Sequence, residues 1–199
     1  MDVDLWNQRY AREDYVYGTA PNDFVALCSP RIPPGPVLCL AEGEGRNAVY
    51  LAALGHTVTA VDQSEVALAK ARQLAAARGV AIATVTADLG DFPIEPGAWA
   101  GIVSTWVHLP PAVRREVHAR VVVGLQRGGV FILEAYTPAQ LAYDTGGPRE
   151  AEVLPTAAHM RAELAGLEFE ILREVERDVH EGTAHTGWAA VVQLLARRP

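Results

Sequence analysis

The sequence predicts a three-layer α/β domain, a mostly parallel seven-stranded sheet doubly wound by helices and finished by an antiparallel C-terminal hairpin. Three observations predict it. Residues 37–62, VLCLAEGEGRNAVYLAALGHTVTAVD, run from an apolar stretch through a glycine-bearing loop and a helical pattern into a second apolar stretch. Further strand and helix patterns follow as far as residue 135. The last two strand patterns then follow each other with only a short polar segment between them.

Residues 37–41 suit a strand buried on both faces. Gly43 and Gly45 come next, where the backbone turns tightly and lets a ligand approach. Residues 46–54 read as a helix, with Val49, Leu51 and Leu54 apolar and Gly55 as its stop. Residues 57–61 are a second strand, and Asp62 stands at its carboxyl end, nineteen residues after the first glycine. Such a βαβ unit sets a ligand over its first loop and the acid on a ribose hydroxyl pair. Gly43-x-Gly45-x-x-Ala48 also fits a degenerate dinucleotide fingerprint. Charge separates the two readings. Glu42 and Glu44 would repel a pyrophosphate at a helix N-terminus, but they would serve a ligand with a sulfonium and an ammonium. S-adenosylmethionine carries both, and a ribose for Asp62.

The segments LAEGEGRN, TAVDQS and TADLGDF, with the opening WNQRYAREDYVYGTAPNDF, resemble the class I S-adenosylmethionine-dependent methyltransferases. Within that class the resemblance is nearest to the small enzymes related to the tellurite-resistance and thiopurine methyltransferases. It covers nearly the whole chain and implies a Rossmann-like methyltransferase fold in one domain, 1–199. Residues 1–36 would be a helical lid and 37–199 the core. It implies S-adenosylmethionine as cofactor, with Glu42, Gly43, Gly45, Arg46, Asn47, Asp62, Gln63 and Ser64 around it. Two positions depart from the family pattern. Cys39 stands where an acid is usual and Ala41 where a glycine is usual. The missing acid normally supports the methionine end, and Glu42 is the expected substitute.

The 199 residues suit a single domain with a substantial core. Half are apolar, yet no run reaches membrane-spanning length. The polar opening MDVDLWNQRY does not read as a signal peptide. The net charge is −7, Lys70 is the single lysine, and the sixteen arginines are scattered. That pattern lacks the basic stripe of a nucleic-acid surface. The expected partner is a small-molecule methyl acceptor, with no nucleic acid and no membrane, and the chain a monomer or weak homodimer. Cys28 and Cys39 make no disulfide framework and fit the cytoplasm, Cys39 as a small core residue.

Along the chain, residues 4–13 read as a helix carrying Trp6 and Tyr10. An aromatic turn, Tyr15 to Gly18, follows, and Pro21 and Asn22 open a second helix through Cys28. Prolines 30, 33, 34 and 36 form a rigid connector. The family resemblance makes Trp6, Tyr10 and Tyr17 a lid over the cofactor; the alternative is packing against the domain. Arg9 could reach a carboxylate of the cofactor or substrate, or stay solvated. Ser64 caps a helix over 65–78, ended by Gly79. Residues 81–85 are the third strand. The resemblance puts Asp88 and Leu89, just beyond it, beside the adenine; a turn cap is the competing role of Asp88. Residues 100–104 are the fourth strand, ending at Ser104, a cofactor contact by the same resemblance. Trp106, His108 and Leu109 lie in the loop beyond, at the edge where open α/β sheets place their chemistry. The next helix is expected from Pro110–Pro111 to Leu125, stopping at Gly128–Gly129.

Residues 130–135 are the fifth strand, followed by Tyr136 and a long segment, 137–154, over the active face. Tyr136, Tyr143 and Arg149 are candidates for substrate contact, with packing the stronger reading for Tyr143. Residues 157–165 read as a short helix. Residues 168–179 alternate acidic and apolar positions, as an edge strand does, whereas 187–196 are almost continuously apolar. A polar loop, 180–186, joins them and holds His180 and His185. No spacing matches a metal site.

Methyl transfer from a sulfonium needs positioning and shielding. A thiolate or chalcogen oxyanion such as tellurite or selenite needs no base; a neutral hydroxyl or amine does, and His108 or His185 would supply it. The expected reaction is methyl transfer to such a small nucleophile. The alternatives are a nicotinamide-dependent oxidoreductase and a non-catalytic S-adenosylmethionine-binding protein.

Overall fold

The structure, a computed structural model, describes residues 3–143 and 145–199. Seven strands form one sheet in the order β3-β2-β1-β4-β5-β7-β6. The strands are β1 (Pro36–Leu40), β2 (Thr57–Asp62), β3 (Ala83–Thr86), β4 (Trp99–Thr105), β5 (Leu125–Tyr136), β6 (Glu168–Glu181) and β7 (His185–Arg197). The first five run parallel; β7 is antiparallel to both β5 and β6. The helices are α1 (Val3–Tyr10), α2 (Asp23–Cys28), α3 (Arg46–Ala53), α4 (Glu65–Ala77), α5 (Pro111–Gly124) and α6 (Ala157–Glu163). This is the doubly wound sheet with a terminal hairpin that the sequence predicts. Among the described residues no helix is long and apolar enough to cross a membrane.

Strand periodicity splits the core in two. Leu38 and Leu40 of β1 face one layer with Ile102, Phe131, Leu133 and Met160 of α6. Val37 and Cys39 face the other with Val103, Ile132 and the helix residues Phe24, Leu51 and Leu68. Successive side chains of a strand point to opposite faces, so one run of five apolar residues supplies both cores. Cys39 is fully buried as a core residue, and that burial pushes its thiol well up.

Several boundaries differ from expectation, β3 beginning at Ala83 and α6 ending at Glu163 among them, and three bear on the site or the sheet. Helix α1 stops at Tyr10, because the chain beyond turns back toward α4. Helix α5 ends at Gly124, and Leu125 already pairs with Trp99, so β5 begins before the Gly128–Gly129 pair that was to end the helix. The polar loop 180–186 shrinks to a three-residue turn, 182–184, because Glu181 pairs with His185 in the hairpin ladder. Pairing thereby fixes both side chains on rigid strands.

The N-terminal segment is strapped to the core at three places. Lys70 donates to the carbonyls of Arg12 (3.0 Å) and Asp14 (2.6 Å), and at 3.5 Å to that of Tyr10. Thr183 N–H donates to Val16 O, with Gly182 so close to that carbonyl that a Cβ would lie 2.2 Å from it. Ser64 Oγ donates to Asn7 Oδ1 (2.7 Å) while accepting from Ala67 N–H as the α4 cap.

Ala41 holds φ +45°, a region that L side chains other than glycine enter only under strain. This accounts for the glycine usual at that place. Ala41→Gly is expected to raise stability by about 0.5–1 kcal/mol, the relieved strain less the extra freedom of the unfolded chain. Urea unfolding checks it; an unchanged or lower midpoint would show that the turn is unstrained.

Candidate active site

The carboxyl ends of β1, β2, β4 and β5 meet under the N-terminal segment. Beyond β1, Glu42 turns back onto α3, and its Oε1 accepts from the N–H groups of Asn47 and Ala48, both at 2.8 Å. A helix N-terminus offers unpaired N–H groups and a positive dipole end, and here a side chain of the protein already fills it. Burial raises the Glu42 carboxyl to about 7 against the lowering pull of those amides and of Arg46.

Glu44 does not face a ligand, contrary to the charge reading of the loop. It is buried and ion-paired with Lys70 on α4. Gly45 also serves packing, since a Cβ there would sit 2.6 Å from that of Ala71. Gly43, at φ +63°, lies under the N-terminal segment, and a Cβ there would approach Tyr10 Oη to 2.9 Å. Tyr10 is buried and stacks on Trp6 (5.7 Å between centroids), with the Arg9 guanidinium over Trp6 at 4.8 Å.

Asp62 braces the loop. Its Oδ2 accepts from Gly43 N–H and its Oδ1 from Ser64 N–H, both at 2.8 Å. Each oxygen keeps a second lone pair, so the carboxylate can also take two ribose hydroxyls. Gln63 lies between them, half-buried. Asn47 is committed to structure: Oδ1 accepts from Asn22 N–H (2.9 Å) and Nδ2 donates to Thr105 Oγ1 (3.0 Å). Asp88 accepts from Gly90 N–H at 2.7 Å, the turn-cap geometry. Leu89 and Ser104 face inward, among Leu40, Leu109 and Leu133 around a void of about 10 Å³.

At the ends of β4 and β5 stands an aromatic cluster. Trp106 packs on Tyr136 (4.5 Å) and His185 (4.9 Å), Tyr17 on His185 (4.6 Å) and His108 on Tyr136 (5.6 Å). All three predicted catalytic candidates, His108, Tyr136 and His185, are thus brought together from distant parts of the chain. They are not equivalent. His108 Nε2 accepts from Tyr136 N–H (3.1 Å), and burial pushes its imidazole down to about 3. With that lone pair committed, His108 stitches two strand ends and is not poised to take a proton. Among the described residues Tyr136 Oη is buried with no hydrogen-bond partner, and buried His185 Nδ1 has only the Glu181 Oε2 atom near it, at 3.6 Å. Burial lowers the His185 imidazole against the opposing pull of Glu181, which favours its neutral form. Gly147 presses on the Tyr136 ring, so the long segment covers this face as expected. Tyr143 bonds to Glu176, at its periphery.

Beneath the cluster lies a buried charge network that sequence reasoning missed. Glu134, fully buried, accepts from Arg177 (2.8 and 2.9 Å), Gln193 (2.8 Å) and Asn22 (2.5 Å). Glu181 accepts from Asn22 (2.8 Å), Arg46 (2.6 Å) and Trp106 Nε1 (2.6 Å). Burial would raise Glu181, but His185 and Arg46 hold it at about 2. An acid inside the otherwise apolar run of β5 was the one legible signal. Beside the network a cavity of about 230 Å³ is lined by Tyr17, Thr19, Asp23, Arg46, Glu181 and neighbouring residues.

Residues 37–129 match a family model described as a methyltransferase domain. A 2-heptyl-1-hydroxyquinolin-4(1H)-one methyltransferase of Mycobacteroides abscessus is 30% identical over 144 residues, 71% of this chain and 63% of that protein. The chain thus spans just under two thirds of that curated relative. Among solved structures, one described for the conversion of a disulfide bond into a thioacetal group during echinomycin biosynthesis superposes with a TM-score of 0.77. It is 21% identical and covers 100% of this chain and 92% of its own. TehB from Haemophilus influenzae gives 0.75 at 23% identity, covering 99% and 67%.

Proposed function

We infer that this chain is a class I S-adenosylmethionine-dependent methyltransferase acting on a small-molecule nucleophile. The observation that carries this reading is Glu42 seated on the N-terminus of α3, with Asp62 bracing the same loop. The carboxylate occupies the place where a dinucleotide enzyme holds its pyrophosphate, so the nicotinamide reading loses its anion site. It leaves negative charge where a cationic ligand ends. The matched methyltransferase domain and the doubly wound sheet with its hairpin support the same reading.

When bound, S-adenosylmethionine supplies an electrophilic methyl carbon on sulfur. The residues of the chain hold and shield. Asp62 receives the ribose, Glu42 faces the cationic end, and Trp6 and Tyr10 cover the glycine loop. Asp88, which caps its turn by accepting from Gly90 N–H, is the acid proposed for the adenine. The cluster of Tyr17, Trp106, Tyr136 and His185 borders the acceptor. Its flat apolar faces favour a planar organic acceptor over tellurite, selenite or a small thiol, and the quinolone acceptor of the curated relative is of that kind. For a hydroxyl acceptor, neutral His185 takes the proton as the nucleophile attacks.

Calorimetric titration with S-adenosylmethionine, S-adenosylhomocysteine and NADPH tests the reading. The first two are expected to bind and NADPH not. Affinity for S-adenosylmethionine is expected to rise as pH rises through about 7, because the Glu42 carboxyl ionises there and the ligand is cationic. NADPH binding alone would overturn the assignment. Turnover is then read with hydroxyquinolones, phenols, thiols and tellurite; binding without turnover on any of them would favour a non-catalytic cofactor-binding protein.

A further inference from the structure

We propose that Glu181 is a positioning residue that couples the N-terminal lid to the aromatic wall of the acceptor site. The proposal rests on the methyltransferase reading for its meaning, but its evidence is the geometry of one carboxylate. Glu181 is the last residue of β6 and only 5% exposed. Its Oε1 accepts from Asn22, the N-cap of α2 in the segment that covers the site. Its Oε2 accepts from Arg46, the first residue of α3 beyond the glycine loop, and from Trp106 Nε1. Three elements far apart in sequence therefore converge on two oxygens.

Trp106 shows what that convergence does. It holds φ +60°, a conformation in which a bulky residue persists only when its surroundings impose it. Two bonds impose it here. Its N–H donates to Glu134 O (2.8 Å), and its indole donates to Glu181. The side chain so placed is the wall against which Tyr136 and His185 pack. The same Asn22 amide nitrogen also donates to Glu134, so the lid residue bridges both buried acids. Arg46 and Arg177 balance the two negative charges, with Arg177 3.6 Å from Glu181. If the lid lifts, Asn22 leaves, Glu181 loses a donor, and the carboxylate can reorient away from Trp106. Lid closure and assembly of the acceptor wall are thereby one event.

The test is a double-mutant cycle on the full chain without ligand. Asn22→Ser keeps a side-chain oxygen to cap α2 but removes the amide donor. Trp106 emission is isolated by subtracting Trp106→Phe, and amide exchange is followed over residues 16–28. Asn22→Ser is expected to speed that exchange at least tenfold and to shift the emission of Trp106, whose indole is bonded to Glu181 and not to Asn22. In a Glu181→Gln background the same change is expected to leave Trp106 unmoved. A lid that opens in Asn22→Ser with Trp106 emission unchanged would overturn the proposal and make Glu181 a passive ion-pair partner. If Glu181→Gln does not fold, Trp106 emission in Asn22→Ser alone decides, by the same two outcomes. Cofactor titration of the unmutated protein is a separate experiment, so failure of the methyltransferase reading is distinguishable from failure of the coupling.

Discussion

Lys70→Met is expected to destabilise the protein by about 3–5 kcal/mol, the range for removing one partner of a buried ion pair. Three losses combine. Glu44 stays buried without its countercharge, and the carbonyls of Tyr10, Arg12 and Asp14 lose their donor. The Tyr15 ring, with the ammonium 5.0 Å from its centroid, loses a cation–π contact. Urea unfolding of the variant measures the change. The double variant Lys70→Met/Glu44→Gln is expected to regain part of it, because the stranded charge is then gone. A loss under about 1 kcal/mol would place the pair in the weak class of solvent-screened surface bridges. The single lysine is thus the residue that ties both the N-terminal segment and the glycine loop to α4.

Asp62→Ala is expected to weaken cofactor binding by about 2–4 kcal/mol, or roughly 30- to 700-fold in Kd. The variant removes the proposed ribose acceptor and also releases Gly43 N–H and Ser64 N–H, so the loop loses its brace. Stability should fall with it by about 1–3 kcal/mol, the desolvation penalty of unpaired buried groups. Titration with S-adenosylhomocysteine, on protein shown by melting to be folded, reads the first effect separately from the second. Unchanged affinity would remove Asp62 from the cofactor site.

Much of the architecture was legible because it is periodic. Seven strand patterns, most of them separated by helical patterns, gave the doubly wound sheet, and the contrast between residues 168–179 and 187–196 placed the edge strand and the buried one. Boundaries set by pairing were not legible. Glycines 128 and 129 look like a helix stop, yet Leu125 is already held by Trp99. Likewise, the polar stretch 180–186 looks like a loop, yet a three-residue turn suffices once Glu181 faces His185.

The sequence by itself determined the class I methyltransferase fold, the glycine loop with its acid nineteen residues on, and the candidates His108, Tyr136 and His185. Those are properties of short stretches, where residue type and spacing carry the signal. Only the tertiary structure decided which candidates keep free chemistry. His108 gives its lone pair to Tyr136 N–H, whereas among the described residues Tyr136 Oη has no hydrogen-bond partner and His185 Nδ1 has only the Glu181 carboxylate, 3.6 Å away. The charges of the glycine loop also parted ways only in three dimensions, Glu42 to the helix end and Glu44 to Lys70. A side chain's availability depends on the neighbours that reach it from distant strands, and local sequence does not encode those distances.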